Sequence, residues 1–451
     1  MIRGETPVST LLLEGAMRSR FPILCAAIVA MSGLTPCARA DEPAKDGLIY
    51  VEKKKDPVLE EMEARNDELR EAAEAKTEEI LATVKAEQKT RDDAKRQLRV
   101  DMSKLERPAG PDAFAARSWH FPPTPQYLTG TCWSFATTSF MESEIHRLSG
   151  QEIKLSEMWT AYWEYVNKAR GYVATRGQSF FAEGSQAAAL LRVYREHGVV
   201  PRAAYEGVLA EDGRFDHDLM ERRMNEFLDW CRDTGFWDEE FIIETVRRIM
   251  DLTMGRPPEV VMWDGAEISP SAFLSDVCGL DPDDYVSLIS TLSLPFWSRG
   301  SYDVPDNWWH DEGYINVPLD VFYGVIRDTA AAGDSLVFGG DVSEPGLWGL
   351  EDVAIIPSFD IPGPYIDQAA REFRFANRSS TDDHLIHVVG FTELGGHDWF
   401  LIKDSNRSSR HGQFEGYYFY RDDYVKLKML AVTVHRDRVA EILQRVDHEQ
   451  R

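Results

Sequence analysis

Cys132 stands at the expected start of an amphipathic helix, with Gln126 six positions upstream and Trp133 next in the chain. A thiol at a helix N-terminus lies at the positive end of the macrodipole, which stabilises its nucleophilic thiolate form. The Gln126 side chain offers an amide N–H that can hold the oxyanion formed when a thiolate attacks a carbonyl. Far downstream, Asp383-His384-Leu-Ile-His-Val-Val-Gly390 supplies a base, and Asp404, closing Leu401-Ile-Lys-Asp404, supplies a carboxylate to orient it. Nucleophile, oxyanion donor, base and orienter are the parts needed for acyl transfer through a thioester. Each has a plainer reading: a lone cysteine is most often a small buried hydrophobe, and an Asp after a strand often forms a turn. If the segment around His384 is a strand, period two sends His384 and His387 to opposite faces, so only one can meet the cysteine.

These residues need elements to hold them. Trp133, Ala136, Phe140, Met141, Ile145 and Leu148 recur at helical spacing, and Gly150 is a plausible stop, so a buried helix of about four turns starts at Cys132. Ser156 reads as the N-cap of a second helix that buries Met158, Tyr162 and Tyr165. A third covers Ser185 to His197 and stops at Gly198. Helical patterns such as Leu219 to Cys231 and Glu239 to Met250 alternate with acidic turns between about 212 and 295, a helical insertion. After Trp309 come short β-rich runs at Ser335–Phe338, Leu385–Phe391, Trp399–Ile402, Gly416–Tyr420 and Met429–Val434. Helices first and strands after describe an α+β protein of two lobes, with a cleft between lobes as the expected site. Trp308-Trp309-His310 fits either a pocket wall or the core, and aromatics are more often core.

The chain has 451 residues, 43% of them hydrophobic, which is enough for a sizeable core, and a formal net charge of −26. That charge argues against nucleic acid or an anionic membrane as partner. No zinc-type Cys/His cluster and no Gly-rich phosphate loop is present in the sequence, so no metal and no cofactor is expected. Basic Met17-Arg-Ser-Arg20, apolar Phe21 to Met31 and Ala38-Arg-Ala40 read as an export signal over 1–40. The apolar run is too short for a membrane span, which needs about 20 residues. Export to a bacterial periplasm or beyond is therefore expected. Cys25 and Cys37 would leave with the signal, and the odd number remaining (Cys132, Cys231, Cys278) leaves at least one free thiol. Residues 41–107 read as a flexible lead followed by a long solvated helix or weak coiled coil, with Pro108-Ala-Gly-Pro111 ending it. A propeptide, an arm for homo-oligomerisation and a spacer all fit this composition. The remainder, 108–451, is the expected catalytic domain.

From about Gln126 to Asp437 the sequence resembles the papain superfamily of cysteine peptidases, and more closely its bleomycin hydrolase and aminopeptidase C branch. The nucleophile motif of that family, Gln followed six residues later by a Gly-x-Cys-Trp type of sequence, matches Gln126 and Gly130-Thr-Cys132-Trp133. Its histidine stands six residues before a Gly-aromatic pair, as His384 does before Gly390-Phe391, which selects His384 over His387. Leu155 to Trp163, Gly184-Ser-Gln186 leading to His197-Gly-Val-Val-Pro201, Asn316 to Asp320 and Phe338 to Val342 resemble segments of the same branch. The resemblance implies a two-lobed papain-like fold and peptide or protein substrates. It implies catalytic roles for Cys132, His384, Asp404 and Gln126, and places Gly184 and Ser185 beside the substrate backbone. The third catalytic residue is normally Asn, where Asp404 stands here. The family's Asn-Ser-Trp-Gly is Asp404-Ser-Asn-Arg407, so the tryptophan that shields the histidine pair is missing. Its members are mostly intracellular hexamers whose C-terminal tail occupies the cleft and enforces aminopeptidase action; this chain carries an export signal and a charged helical tail over Arg436 to Arg451. The expected function is an exported cysteine peptidase, with aminopeptidase and endopeptidase modes both open. A catalytically inactive papain-like peptide-binding or scaffold protein is the alternative that the lost tryptophan favours.

Overall fold

A computed structural model describes residues 46–449 except Gln97. The expected export signal over 1–40, with Cys25 and Cys37, lies outside the described residues.

The chain divides into two units at Lys95/Arg96. The first contains one 37-residue helix, α1 (Pro57–Asp93), started by Pro57 and by the Asp56 side chain, which accepts from the Val58 N–H at 2.9 Å. No residue of α1 is buried, and Leu59, Met62, Leu69, Ile80 and Val84 are each about half exposed or more. The helix ends at Asp93, well before the expected boundary near Arg107. Residues from Arg96 on belong to the second unit, where Met102 is buried with Phe114, Trp399 and Phe419.

The second unit has two large cores. One gathers the helices α2 (Cys132–Ser149), α3 (Glu157–Ala174), α4 (Ala187–His197), α5 (Asp218–Thr234) and α6 (Glu239–Met254) around Phe140, Trp159, Tyr162, Leu190 and Val246. The caps read from the sequence are in place: Ser156 accepts from the Trp159 N–H at 3.0 Å, and Gly150 ends α2 in the left-handed region at φ 73°.

The other core lies on an eleven-stranded sheet. Its strands, together with those of a separate two-stranded hairpin (β2, β3), are in chain order β1 (Ala116–Arg117), β2 (Val261–Trp263), β3 (Ala266–Ile268), β4 (Tyr285–Ile289), β5 (Ser298–Gly300), β6 (Tyr314–Asn316), β7 (Leu336–Gly340), β8 (Leu347–Trp348), β9 (Val353–Ala354), β10 (His384–Leu394), β11 (His397–Lys403), β12 (Tyr417–Arg421) and β13 (Met429–His435). Across the large sheet the order is β5-β6-β4-β13-β7-β10-β11-β12-β9-β8, with β1 added on β10. β4 is therefore a strand of this sheet, and the hairpin β2–β3 falls inside the stretch read as a helical insertion; only α5 and α6 of that stretch are long helices. The short strands β5, β6, β8 and β9 carry two or three residues each, too few for an alternating pattern to declare itself.

β10 sits in the middle of the sheet, antiparallel to β7 and β11, and α2 packs on it. Its faces separate cleanly. Ile386 and Val388 join the sheet core with Phe400 and Ile402, whereas Leu385 joins the helical core. His384 shares the face of Ile386. Gly390 gives β1 room to pass: a Cβ there would lie in tight contact, 3.0 Å from the Ala116 carbonyl oxygen. The described part of the C-terminal tail forms a helix, Ala440–Glu449, that buries Ile442 and Val446 in the sheet core.

Candidate active site

Cys132 is the first residue of α2 and is 9% exposed. As an N-terminal helical residue, its own N–H falls outside the intrahelical ladder and is available to an oxyanion. Ser134 and Phe135 donate their N–H groups to the Thr131 carbonyl, and Trp133 is buried beneath, its indole N–H donating to the Glu183 carbonyl at 3.0 Å.

His384 opens β10 and is buried with Asp404, at 4% and 5% exposure. Its Nε2 lies 2.7 Å from Asp404 Oδ1, which leaves Nδ1 as the ring nitrogen available to Cys132. Burial alone would lower the pKa of this imidazole. The charge of Asp404, which is hydrogen-bonded to the ring, and the nearby Cys132 sulfur outweigh it and hold His384 well above the usual histidine range. The imidazolium is thus the stable form beside the sulfur. Asp404 also accepts from the Asn406 N–H at 2.9 Å, so it is a turn-forming aspartate and the histidine's partner at once. The missing tryptophan has not opened the pair to solvent, since both side chains remain buried.

His387 is directed elsewhere. It pairs across the ladder with Lys403, and its Nδ1 lies 2.9 Å from the Ser139 hydroxyl, to which the Lys403 ammonium also donates at 2.7 Å. Burial, then Lys403 and His120, keep its pKa well below the ordinary value, so it is a neutral interior ring. Burial likewise pulls the Lys403 ammonium down to about 8, with Glu142 opposing. These groups, with Lys154 and Glu157, hold α2 and α3 against β11 behind the cysteine. A cavity of about 20 Å³ lined by Lys154, Glu157, Lys403 and Asp404 lies among them, room for about one water.

Gln126 is 8% exposed. Its Oε1 accepts from the Ser405 hydroxyl at 2.6 Å, and its Nε2 donates one N–H to the Thr129 carbonyl at 2.6 Å. An amide nitrogen has two donors, so a second N–H remains. Ser405 follows Asp404, so one turn orients both the oxyanion donor and the histidine's partner. Between Gln126 and the nucleophile, Tyr127 takes φ 52°, a left-handed conformation that bulky residues seldom adopt.

Sequence reading missed Glu183. Its Oε2 accepts from the Gly130 N–H at 2.7 Å and its Oε1 from the Tyr165 hydroxyl at 2.9 Å, with His217 Nδ1 3.2 Å away. Gly130 must be glycine, since a Cβ would lie 2.8 Å from the Glu183 Cβ. A single glutamate gives no periodic or spacing signal, and only its place before Gly184 could have suggested a role. The Ser185 hydroxyl, by contrast, is buried and donates to Glu164 at 2.7 Å, so it is engaged inside the helical lobe. Gly184 runs alongside Glu183. Trp308 donates its indole N–H to Glu164 at 2.7 Å, and the Arg192 guanidinium lies 4.2 Å from the Trp309 ring centre, which makes this aromatic pair a wall of the helical lobe. Cys132, Cys231 and Cys278 are all free and buried; burial raises the pKa of Cys231 and pushes that of Cys278 up to about 12, so both are unreactive.

A buried thiol at a helix N-terminus, with a buried histidine that a carboxylate holds in place, is an arrangement that suits a papain-type cysteine peptidase. Residues 65–450 match the model of the Peptidase C1-like family, and the chain belongs to that family. It is 24% identical to aminopeptidase C of Streptococcus thermophilus over 49% of this chain, and spans 58% of that relative's length. Aminopeptidase C of Lactococcus lactis subsp. cremoris is 21% identical over 71% of this chain and 82% of its own. Bleomycin hydrolase of Gallus gallus is 21% identical over 71% and 81%. The fold is shared with the crystal structure of PepW from Lactobacillus rhamnosis HN001, at a TM-score of 0.59 and 18% identity, over 75% of this chain and 85% of that one.

Proposed function

We propose that this protein is an exported cysteine peptidase that hydrolyses peptides from their free N-termini, with Cys132 as nucleophile and His384 as acid and base. What supports this reading is the buried His384–Asp404 pair, in which the imidazolium is favoured, together with Cys132 as the first residue of α2. The thiolate attacks the scissile carbonyl, and the oxyanion takes hydrogen bonds from the Cys132 N–H and the free N–H of Gln126. His384 gives its proton to the leaving amine as the C–N bond breaks. Neutral His384 then takes a proton from water as that water attacks the thioester, and collapse of the intermediate breaks the C–S bond, releasing the acid and restoring the thiolate beside the imidazolium. Asp404 stabilises the imidazolium more than a neutral amide would, so its presence favours activity.

The aminopeptidase mode is supported by the names of the relatives, export by the basic and apolar stretches before Ala40. The exposed apolar residues of α1 support self-association through that helix. Peptide libraries with free and blocked amines, incubated with wild type and Cys132→Ala, test the reading. Hydrolysis of free-amine peptides by wild type alone is expected, together with loss of epoxide-inhibitor labelling in the variant. Turnover retained by Cys132→Ala refutes it. The N-terminal mass of protein recovered from the culture medium or periplasm tests export, and a mass beginning at Met1 counts against it.

A further inference from the structure

No residue of α1 is buried, yet the helix carries an ordered apolar stripe. Val58, Leu69 and Ile80 recur every eleven residues, and so do Met62, Ala73 and Val84. Eleven residues make almost three whole turns, so both sets share one face and the stripe runs nearly straight along the helix. Val58, Met62, Leu69, Ile80 and Val84 are between 49% and 62% exposed. Such a face is the seam of a helix pair that lacks its second helix.

The same period orders the charges. Arg65 and Lys76 lie eleven residues apart along one edge of the stripe, and Glu68 and Glu79 lie eleven apart a little further round that edge. Among the described residues neither Arg65 nor Lys76 is in an ion pair, whereas Lys55 pairs with Glu60 and Arg70 with Asp67. Two parallel copies in register would set Arg65 against Arg65 and Lys76 against Lys76. Antiparallel copies avoid this. With Leu69 opposite Ala73 of the second copy, Met62 falls opposite Ile80 and Val58 opposite Val84, so each of the six apolar residues meets another. In that register Arg65 lies beside Glu79 of the second copy and Lys76 beside its Glu68, and the two-fold symmetry repeats both pairs. A slide of eleven residues either way leaves Val58 and Met62, or Ile80 and Val84, without an apolar counterpart in the helix. Exposed ion pairs contribute little energy, so the charges choose the direction and the apolar layers supply the affinity.

We propose that the Val58–Val84 face of α1 pairs antiparallel with the same face of a second copy of this chain, Leu69 opposite Ala73 and Met62 opposite Ile80. This rests on self-association through α1 and deepens it with a direction and a register; it is independent of the peptidase chemistry. Cross-linking by a short bismaleimide tests it on the full chain carrying Cys132→Ala, where the described thiols that remain, Cys231 and Cys278, are buried. Met62→Cys and Ile80→Cys are made separately in this background, which alone serves as the control. Mixed, the two variants are expected to cross-link. Alone, each places its two thiols about 27 Å apart along the pair and is expected not to. Sedimentation is expected to show a dimer. Leu69→Lys with Ile80→Lys, both at exposed positions and checked for folding by a thermal melt, is expected to raise its Kd about a hundredfold or more. Cross-links in Met62→Cys alone overturn the antiparallel pairing and leave self-association standing. A monomer at every concentration overturns both, and so does a dimer that the two lysines leave unchanged.

Discussion

Replacing Asp404 tests the electrostatics of the site through an internal comparison of two side chains. The His384 Nε2–Asp404 Oδ1 bond is 2.7 Å long between groups each about 5% exposed or less, so solvent screening does little to weaken it. The Asp404→Asn change would keep an acceptor at that position and remove the charge. Hydrogen bonds to a charged partner contribute about 1.5–3 kcal/mol against about 0.5–1.5 for neutral ones, so Asp404→Asn should cost the imidazolium about 1–1.5 kcal/mol, close to a factor of ten. Asp404→Ala removes the acceptor too and leaves a buried cation unpaired, a loss of about 3–5 kcal/mol. The sign follows from the raised His384 pKa. The active imidazolium is complete below the ordinary histidine value and is lost as pH climbs through the raised one. In a pH profile of kcat/KM on a free-amine peptide arylamide, the alkaline limb of Asp404→Asn should therefore move to lower pH. Near neutrality that variant should stay within about tenfold of wild type, and Asp404→Ala should fall at least a hundredfold. An alkaline limb that does not move in Asp404→Asn would refute the idea that this carboxylate sustains the charged histidine.

Three further outcomes follow from the same geometry. Gln126→Ala removes one oxyanion donor and should lower kcat by about 10²–10³, roughly 3 kcal/mol, with little change in KM; a pure KM effect would assign Gln126 to binding. Gly130→Ala places a methyl 2.8 Å from Glu183 Cβ, so kcat should fall and melting should report about 1–3 kcal/mol of overpacking. Glu183→Ala leaves the Gly130 N–H and the Tyr165 hydroxyl without their acceptor and should destabilise by about 2–3 kcal/mol at pH 7. Burial raises the Glu183 pKa, but His217, Tyr165 and Gly130 more than offset that and hold it below 4.5. Its contribution is thus complete above about pH 4.5 and lost in stronger acid, so the Tm gap between wild type and Glu183→Ala should close there.

Much of this was legible in the chain because strong local rules coincided with the chemistry. The Ser156 cap, the Gly150 stop and the apolar spacing of α2 fixed where Cys132 would sit, and the long β10 and β11 runs announced the strands that carry His384 and lead to Asp404. The distance to Gly390 singled out His384, and the structure supplies a physical reason for that glycine in the close passage of β1. What stayed hidden depends on contacts distant in sequence. Glu183 joins Gly130 across 53 positions, and Ser405 reaches Gln126 across 279. Gln186 meets Asp382 across 196. The end of α1 was misjudged by about four turns, because the charged composition continues to Arg107, while Met102 turns inward only through burial against Phe114 and Trp399. Ser185 looked like a cleft residue by its neighbour Gly184, but its hydroxyl turns to Glu164.

The central claim is that Cys132 forms a covalent acyl intermediate with His384 as its acid and base. Acid-quenched intact-mass spectrometry during turnover of a peptide ester, followed by digestion, tests it directly. The account predicts a transient mass increase equal to the acyl group, located on the peptide containing Cys132, that decays as water hydrolyses it and accumulates more slowly in His384→Ala. Turnover with no adduct, or an adduct confined to Cys231 or Cys278, would contradict it.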